Sequence, residues 1–237
     1  MHNKFKGILI YSKNSSENNL FVKILSEKDE IITGIVYGGL SKKKKIIYQL
    51  GYFLNIISHR KNINLPFNIK SEVSTPLLSN IINDKYKLQC ILALVSIINL
   101  SIIEGQKVEG IFKLSENFIN KIIKEKNWLI FFFKFLFDLL KMIGYEVDYT
   151  SKDTNFLNFN TEDFVNIENN ENDVFSNHLL NKTKLTNYKS IKDFFYIFEQ
   201  IFQNNHLNSM NLKLPIHFIR FKQLILEYFN KYNVENN

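Results

Sequence analysis

The chain predicts an α+β protein of more than one domain: a five-stranded barrel at the N-terminus, then an α-helical bundle that carries a small irregular insert. Three observations carry this. Up to about residue 76, short β-branched and aromatic runs alternate with polar or glycine-containing turns. From Pro76 onward the apolar residues recur at helical spacing instead. Across 149–187 that periodicity lapses into a polar, acidic stretch with neither glycine nor cysteine.

Gly7–Ser12 and Leu20–Ser26 are the first two strands, with the polar turn Asn14–Asn19 between them. A tight turn at Glu27–Glu30 leads to a third strand, Ile31–Tyr37, and Leu50–His59 and Phe67–Val73 are the fourth and fifth. Five short antiparallel strands with glycines at the bends fit a small closed barrel, of which the oligonucleotide-binding (OB) barrel is the common five-stranded form. The expected division is therefore an OB barrel over 1–76 and a helical domain over 77–237.

In the second part, Thr75-Pro76 supplies a helix start, with proline at the first helical position. Tyr86–Ile103 aligns Leu88, Ile91, Leu92, Val95, Ile98 and Ile102 on one face, and a second helix begins near Val108. The phenylalanine-rich segment 127–144 falls short of the roughly 20 residues a spanning helix needs. Its Lys134, Asp138 and Lys141 form one polar stripe, which marks a core helix and not a membrane span. After the insert, where 155–160 and 164–167 suggest a small hairpin, a helix runs from Ser190 through Phe202. An amphipathic helix from Leu214-Pro215 to Phe229 closes the fold.

With 45% apolar and 22% charged residues, the chain has material for a sizeable core. The net charge of +7 is uneven: residues 1–80 hold twelve Lys/Arg against five Asp/Glu, whereas 81–237 hold eighteen of each. The barrel end is thus the end that attracts anions. The single cysteine, Cys90, excludes a disulfide framework and a cysteine-rich metal site, and the five histidines have no metal-ligand spacing. No nucleotide-binding loop or nucleophile elbow is present, so a non-enzymatic role is expected, without cofactor. The opening Met-His-Asn-Lys-Phe-Lys-Gly has no apolar signal region, which suggests a cytoplasmic protein.

Gly34-Ile-Val-Tyr-Gly-Gly-Leu-Ser-Lys-Lys-Lys-Lys-Ile-Ile-Tyr-Gln-Leu-Gly51 is the most informative stretch. A glycine pair turns the chain, and Lys42, Lys43, Lys44 and Lys45 follow on what reads as a short connection. Four adjacent ammonium groups repel one another unless an anion sits among them, and a phosphate backbone suits them because its condensed counterions are released on binding. Lys6, Lys23, Arg60, Lys61 and Lys70 add to the basic material. Of the aromatics in this half, Tyr37 or Tyr48, which flank the lysines, is the one expected to stack on bases. The alternative for the lysines is a solvated turn.

The same residues carry a family resemblance. Lys6-Gly-Ile-Leu-Ile, the Glu17-Asn-Asn-Leu20 turn, Leu25-Ser-Glu-Lys and Ile32-Thr-Gly-Ile-Val-Tyr-Gly-Gly-Leu-Ser-Lys-Lys-Lys-Lys resemble the DNA repair protein RecO family, as does the Gln49-Leu-Gly51 strand entry. Leu139–Asp148 looks like that family's helix end before its insert, and Leu214-Pro215 with Arg220 looks like its last helix. The resemblance spans nearly the whole chain and is most specific over 6–51. It implies a recombination mediator that binds single- and double-stranded DNA and anneals complementary single strands. With RecR, such a protein helps load RecA on DNA coated by single-stranded-DNA-binding protein, in the nucleoid during repair. Many members hold a four-cysteine zinc site in the insert; this chain has no cysteine over 149–187, so no zinc is expected and Phe156, Leu157, Phe159, Phe164 and Val165 are left to hold that region together.

The acidic C-terminal tail of the single-stranded-DNA-binding protein is a further implied partner. It ends in an apolar residue beside a carboxylate, so its receptor needs an apolar pocket with a cation at the rim. Arg220, the only arginine of the helical part, with Phe218, Phe221 and Leu224, is the expected site. The other reading of Arg220 is an ion pair that fixes its helix. From a different class, an RNA-binding OB module with a helical interaction domain is the alternative function.

Overall fold

In the computed structural model the described residues are 2–60, 62, 65–146, 156–158, 164–165, 172–174 and 188–235. They fall into two compact units, Met1–Ile123 and Lys124–Asn237.

In the first unit, β1 (His2–Asn14), β2 (Leu20–Ser26), β3 (Ile31–Val36), β4 (Phe53–His59) and β5 (Phe67–Thr75) close into a barrel of order β1-β2-β3-β5-β4. All neighbours are antiparallel except β3 and β5, and the connection from β3 to β4 carries a short helix, α1 (Lys42–Ile47). This is an OB-like barrel. Leu9, Val22, Ile24, Val36, Leu54, Ile56 and Ile69 form its core.

The long first strand makes closure possible. Its first half pairs with β4, from His2↔His59 to Ile8↔Phe53, and its second half with β2, from Gly7↔Ser26 to Asn14↔Leu20. A bulge between Leu9 and Tyr11 leaves Ile8, Leu9 and Ile10 all buried. One extra residue inverts the alternation of faces. Before the bulge Lys4 and Lys6 point outward, and after it Tyr11 and Lys13 do.

Closure also needs a close backbone approach, since Gly34 pairs with Phe67. A Cβ there would lie 2.5 Å from the Phe67 carbonyl oxygen and 2.5 Å from the Ile69 side chain.

Two longer helices follow the strands in the barrel unit: α2 (Lys85–Ser101) and α3 (Ile111–Lys124). Asp84 caps α2, its carboxylate accepting from the Tyr86 and Lys87 N–H groups at 3.1 Å each. The cap of α3 comes from far away in sequence. Asp29, in the β2–β3 turn, accepts from the Gly110 and Phe112 N–H groups at 2.9 and 3.0 Å, and its own carbonyl accepts from Val108 N–H at 3.0 Å. The boundary expected after residue 76 therefore marks the end of the last strand, while the compact unit continues to Ile123.

The lysines expected on a short connection after the glycine pair form the helix α1 instead. The segment has no β-branched residue before Ile46, and lysine loses little rotamer freedom in a helix. Gly38 takes the positive φ of 63° expected of the pair, and Gly39 packs against Leu20. β1 runs further at both ends than the predicted 7–12, and β4 begins at Phe53 instead of Leu50.

The second unit contains α4 (Trp128–Met142), α5 (Tyr188–Ile201) and α6 (Ile216–Glu235), with a π-helical turn at Phe202–Leu207. Its core is aromatic. Phe133 stacks on Phe194 at 4.6 Å, and Phe132 meets Phe221 edge-on at 4.9 Å. Three short strands, β6 (Phe156–Asn158), β7 (Phe164–Val165) and β8 (Asn172–Val174), form a sheet of order β7-β6-β8. The hairpin suggested for 155–167 is present as β6 and β7, with β8 added. The expected packing of the Phe156, Leu157, Phe159, Phe164 and Val165 side chains lies outside the described residues. No helix among the described residues is long and apolar enough to cross a membrane, α4 included.

Candidate nucleic-acid interface

The expected nucleic-acid residues do not form one patch. All lie in the first unit, but they divide among a helix, a loop and two grooves.

Lys42, Lys43, Lys44 and Lys45 are exposed on α1. Consecutive residues on a helix stand about 100° apart, so four lysines fan around the axis instead of lining one cradle. Lys44 is engaged already, its Nζ donating to the Tyr37 carbonyl at 2.5 Å. Tyr37 is 56% exposed at the foot of this helix. Tyr48 is only 6% exposed and belongs to the barrel core, where burial raises its hydroxyl pKa above the usual 10.0. Its ring is therefore out of reach of a base, contrary to the expectation.

The first groove lies on the outer face of β1 and β2. Beyond the bulge, Tyr11 pairs with Lys23 and Lys13 with Phe21. Each strand gives one aromatic and one lysine, set on opposite diagonals of a two-by-two square. Tyr11 and Phe21 meet edge-on at 6.3 Å, and the Lys23 Nζ stands 5.8 Å from the Tyr11 ring centre. Asn14, Ser15 and Asn99 of α2 complete the lining of a volume of about 570 Å³, with no carboxylate in it. The Asn99 Oδ1 is buried there without a hydrogen-bond partner. Aromatic faces for bases beside cations for phosphates are what sequence-tolerant single-strand binding requires. Lys23 was expected here. Lys13 was not, although Tyr11-Ser-Lys13 and Phe21-Val-Lys23 share the two-residue period that puts both members on one face.

The second groove lies on β1, β4 and β5 ahead of the bulge. It gathers Lys6 and Lys70 with Lys4, around Asn55 and Ile57, and also holds Glu27 and Glu72. Arg60 stands apart on the β4–β5 loop, its guanidinium 4.6 Å from the Phe67 ring centre. Lys61 lies outside the described residues.

In the second unit Phe218 and Phe221 are fully buried, packed on Phe195, Phe198 and Phe132. They stabilise the core and cannot line a peptide pocket, contrary to the expectation. Leu224 is half-buried and Arg220 exposed. Arg220 makes no ion pair among the described residues; after burial, its charge is the second cause lowering the pKa of His217 below 6.5. The ion pair that does tie α6 to α5 is Lys222 to Glu199 at 2.5 Å.

No group of histidine, cysteine and acidic side chains among the described residues is arranged to hold a metal ion. Cys90 is buried in α2, where desolvation raises its thiol pKa well above 9.0, so it does not fit a zinc site. No known protein-family model matches this chain, and no curated protein matches it significantly.

Proposed function

We propose that the protein is a non-enzymatic recombination mediator of the RecO kind, which binds single-stranded DNA on its barrel and promotes annealing of complementary strands. The observation that carries the binding is the acid-free groove in which Tyr11, Phe21, Lys13 and Lys23 alternate. The resemblance over residues 6–51 carries the narrower assignment. Lysines would hold phosphates and lower the repulsion between strands, while the rings would stack on bases without selecting sequence. On this reading RecR, RecA and the single-stranded-DNA-binding protein are partners, the site of action is the nucleoid in the cytoplasm, and no cofactor takes part.

The test is fluorescence anisotropy with labelled single-stranded DNA, together with an annealing assay on complementary oligonucleotides. Tyr11→Ala should weaken binding by about five- to a hundredfold, the loss of one stacked base. Faster annealing by the wild type, and further gain on DNA coated with single-stranded-DNA-binding protein, supports mediation. Tight RNA binding with no effect on annealing would favour an RNA-binding OB module instead.

A further inference from the structure

The barrel carries a second cationic track, and a carboxylate separates it from the first. Register aligns Lys4, Ile57 and Lys70 in one row across β1, β4 and β5, and Lys6, Asn55 and Glu72 in the next row. Lys4 and Lys70 are exposed and in no salt bridge among the described residues, and between them Ile57 is 43% exposed. Two strand spacings set their backbones about 10 Å apart. The row is therefore an apolar spot between two cations, suited to a base lying over Ile57 with phosphates at either side.

Both acids sit at the same end of this groove. Glu72 shares the row of Lys6, and the Glu27 Oε1 accepts from the Lys6 N–H at 3.0 Å. A polyanion is drawn to the Lys4–Lys70 row and repelled from the row beside it, so it crosses the strands and does not follow β1. Farther along β1, the buried run Ile8–Ile10 and the bulge come before Tyr11. A strand moving along β1 from one groove to the other would have to pass Glu27. The two grooves thus share β1 but face different neighbours, β4 on one side and β2 on the other.

Building on the DNA-binding reading above, we infer that the barrel holds two nucleic-acid strands at once, one on the Tyr11–Lys23 groove and the second on the Lys4–Ile57–Lys70 row. Holding both on one small barrel replaces a bimolecular encounter by one at high effective concentration. Annealing would then be driven by proximity, with the bases on either side of the two short contact sites free to search for their complements.

Native mass spectrometry of the full chain with short, non-complementary single-stranded oligonucleotides tests this, alongside annealing rates. The wild type should form a complex of one chain with two strands. Lys4→Ala/Lys70→Ala and Tyr11→Ala/Lys23→Ala should each reduce it to one strand, and the former should slow annealing about tenfold or more. These surface substitutions leave the core intact, and unchanged melting of each variant checks that. A wild type that binds one strand, lost in Tyr11→Ala/Lys23→Ala and retained in Lys4→Ala/Lys70→Ala, overturns the second site and leaves the DNA-binding reading standing. Two strands retained by Lys4→Ala/Lys70→Ala but lost when the α1 lysines become alanine moves the second strand to α1 and overturns the inference. Two strands retained by Lys4→Ala/Lys70→Ala with loss of binding to an acidic peptide ending in an apolar residue reassigns the row to a peptide. A wild type that binds no strand at all defeats both readings.

Discussion

Asp29 offers the sharpest test of how the barrel unit holds together. Its carboxylate satisfies two N–H groups at the start of α3, and its backbone sits at φ 66°, where a side chain other than glycine, asparagine or aspartate is strained. Losing such a cap to alanine costs about 1 kcal/mol, with a range up to about 2. Alanine at positive φ adds about 1 kcal/mol more, so Asp29→Ala should destabilise the unit by about 2–3 kcal/mol. Asp29→Asn keeps one acceptor oxygen and tolerates the backbone, and should cost under about 1 kcal/mol. Asp29→Gly relieves the strain but loses the cap, and should fall between them. Cys90 is a reporter inside the same unit: it is fully buried with its thiol pKa raised by desolvation, so a disulfide reagent labels it only when the unit opens. With a urea slope of about 1.5 kcal/mol per M, 2 kcal/mol moves the labelling midpoint down by about 1.3 M. An alanine variant that labels at the wild-type midpoint, or an asparagine variant as unstable as the alanine one, would refute the capping account.

Three further outcomes follow from the site. Replacing Lys42, Lys43, Lys44 and Lys45 by alanine should lower the log–log salt slope of single-strand binding by about 1.4, since Lys44 is tied to Tyr37 and, of the other three, only Lys42 and Lys45 share a face of the helix, each worth about 0.7; an unchanged slope would make α1 a solvated helix. His217 should titrate below 6.5 by proton NMR and move toward 6.5 in Arg220→Ala; because its folded pKa is depressed, its contribution to stability is complete above about 6.5 and is lost as pH falls through the folded value, so a pKa at or above 6.5 would contradict the burial. Elemental analysis of the purified protein should find no stoichiometric zinc, given one buried cysteine, and tightly bound zinc would sink that expectation.

The barrel was legible in the sequence because strand alternation and turn residues are local signals. Leu20–Ser26 is a strand over the predicted bounds, and the positive φ of Gly38 follows from the glycine pair. The bulge was not legible: Ile8, Leu9 and Ile10 are alike in hydrophobicity, so nothing in the string shows where the alternation inverts. That inversion decides which lysines of β1 share a face, which is why one expected patch became two grooves. Tyr48 and Phe218 were misplaced for a related reason. An aromatic beside a basic residue looks the same in sequence whether its ring faces solvent or the core, and only the packing distinguishes the two. The capping of α3 by Asp29 is a contact across more than eighty residues, and no local pattern encodes it.

The parallel seam between β3 and β5 rests on two residue pairs, Gly34↔Phe67 and Ile35↔Asn68, whereas β1 and β4 share seven. A cylinder joined so unevenly opens first along its thinnest join, so hydrogen exchange at Phe67 and Asn68 should outpace that along β1. Phe21 pairs with Ile35 across β2 and β3, so a bound strand that extends from the first groove over β3 onto β5 would bridge that join from outside. Such a ligand would act on the barrel as a clasp, slowing exchange at the seam without moving a single backbone atom.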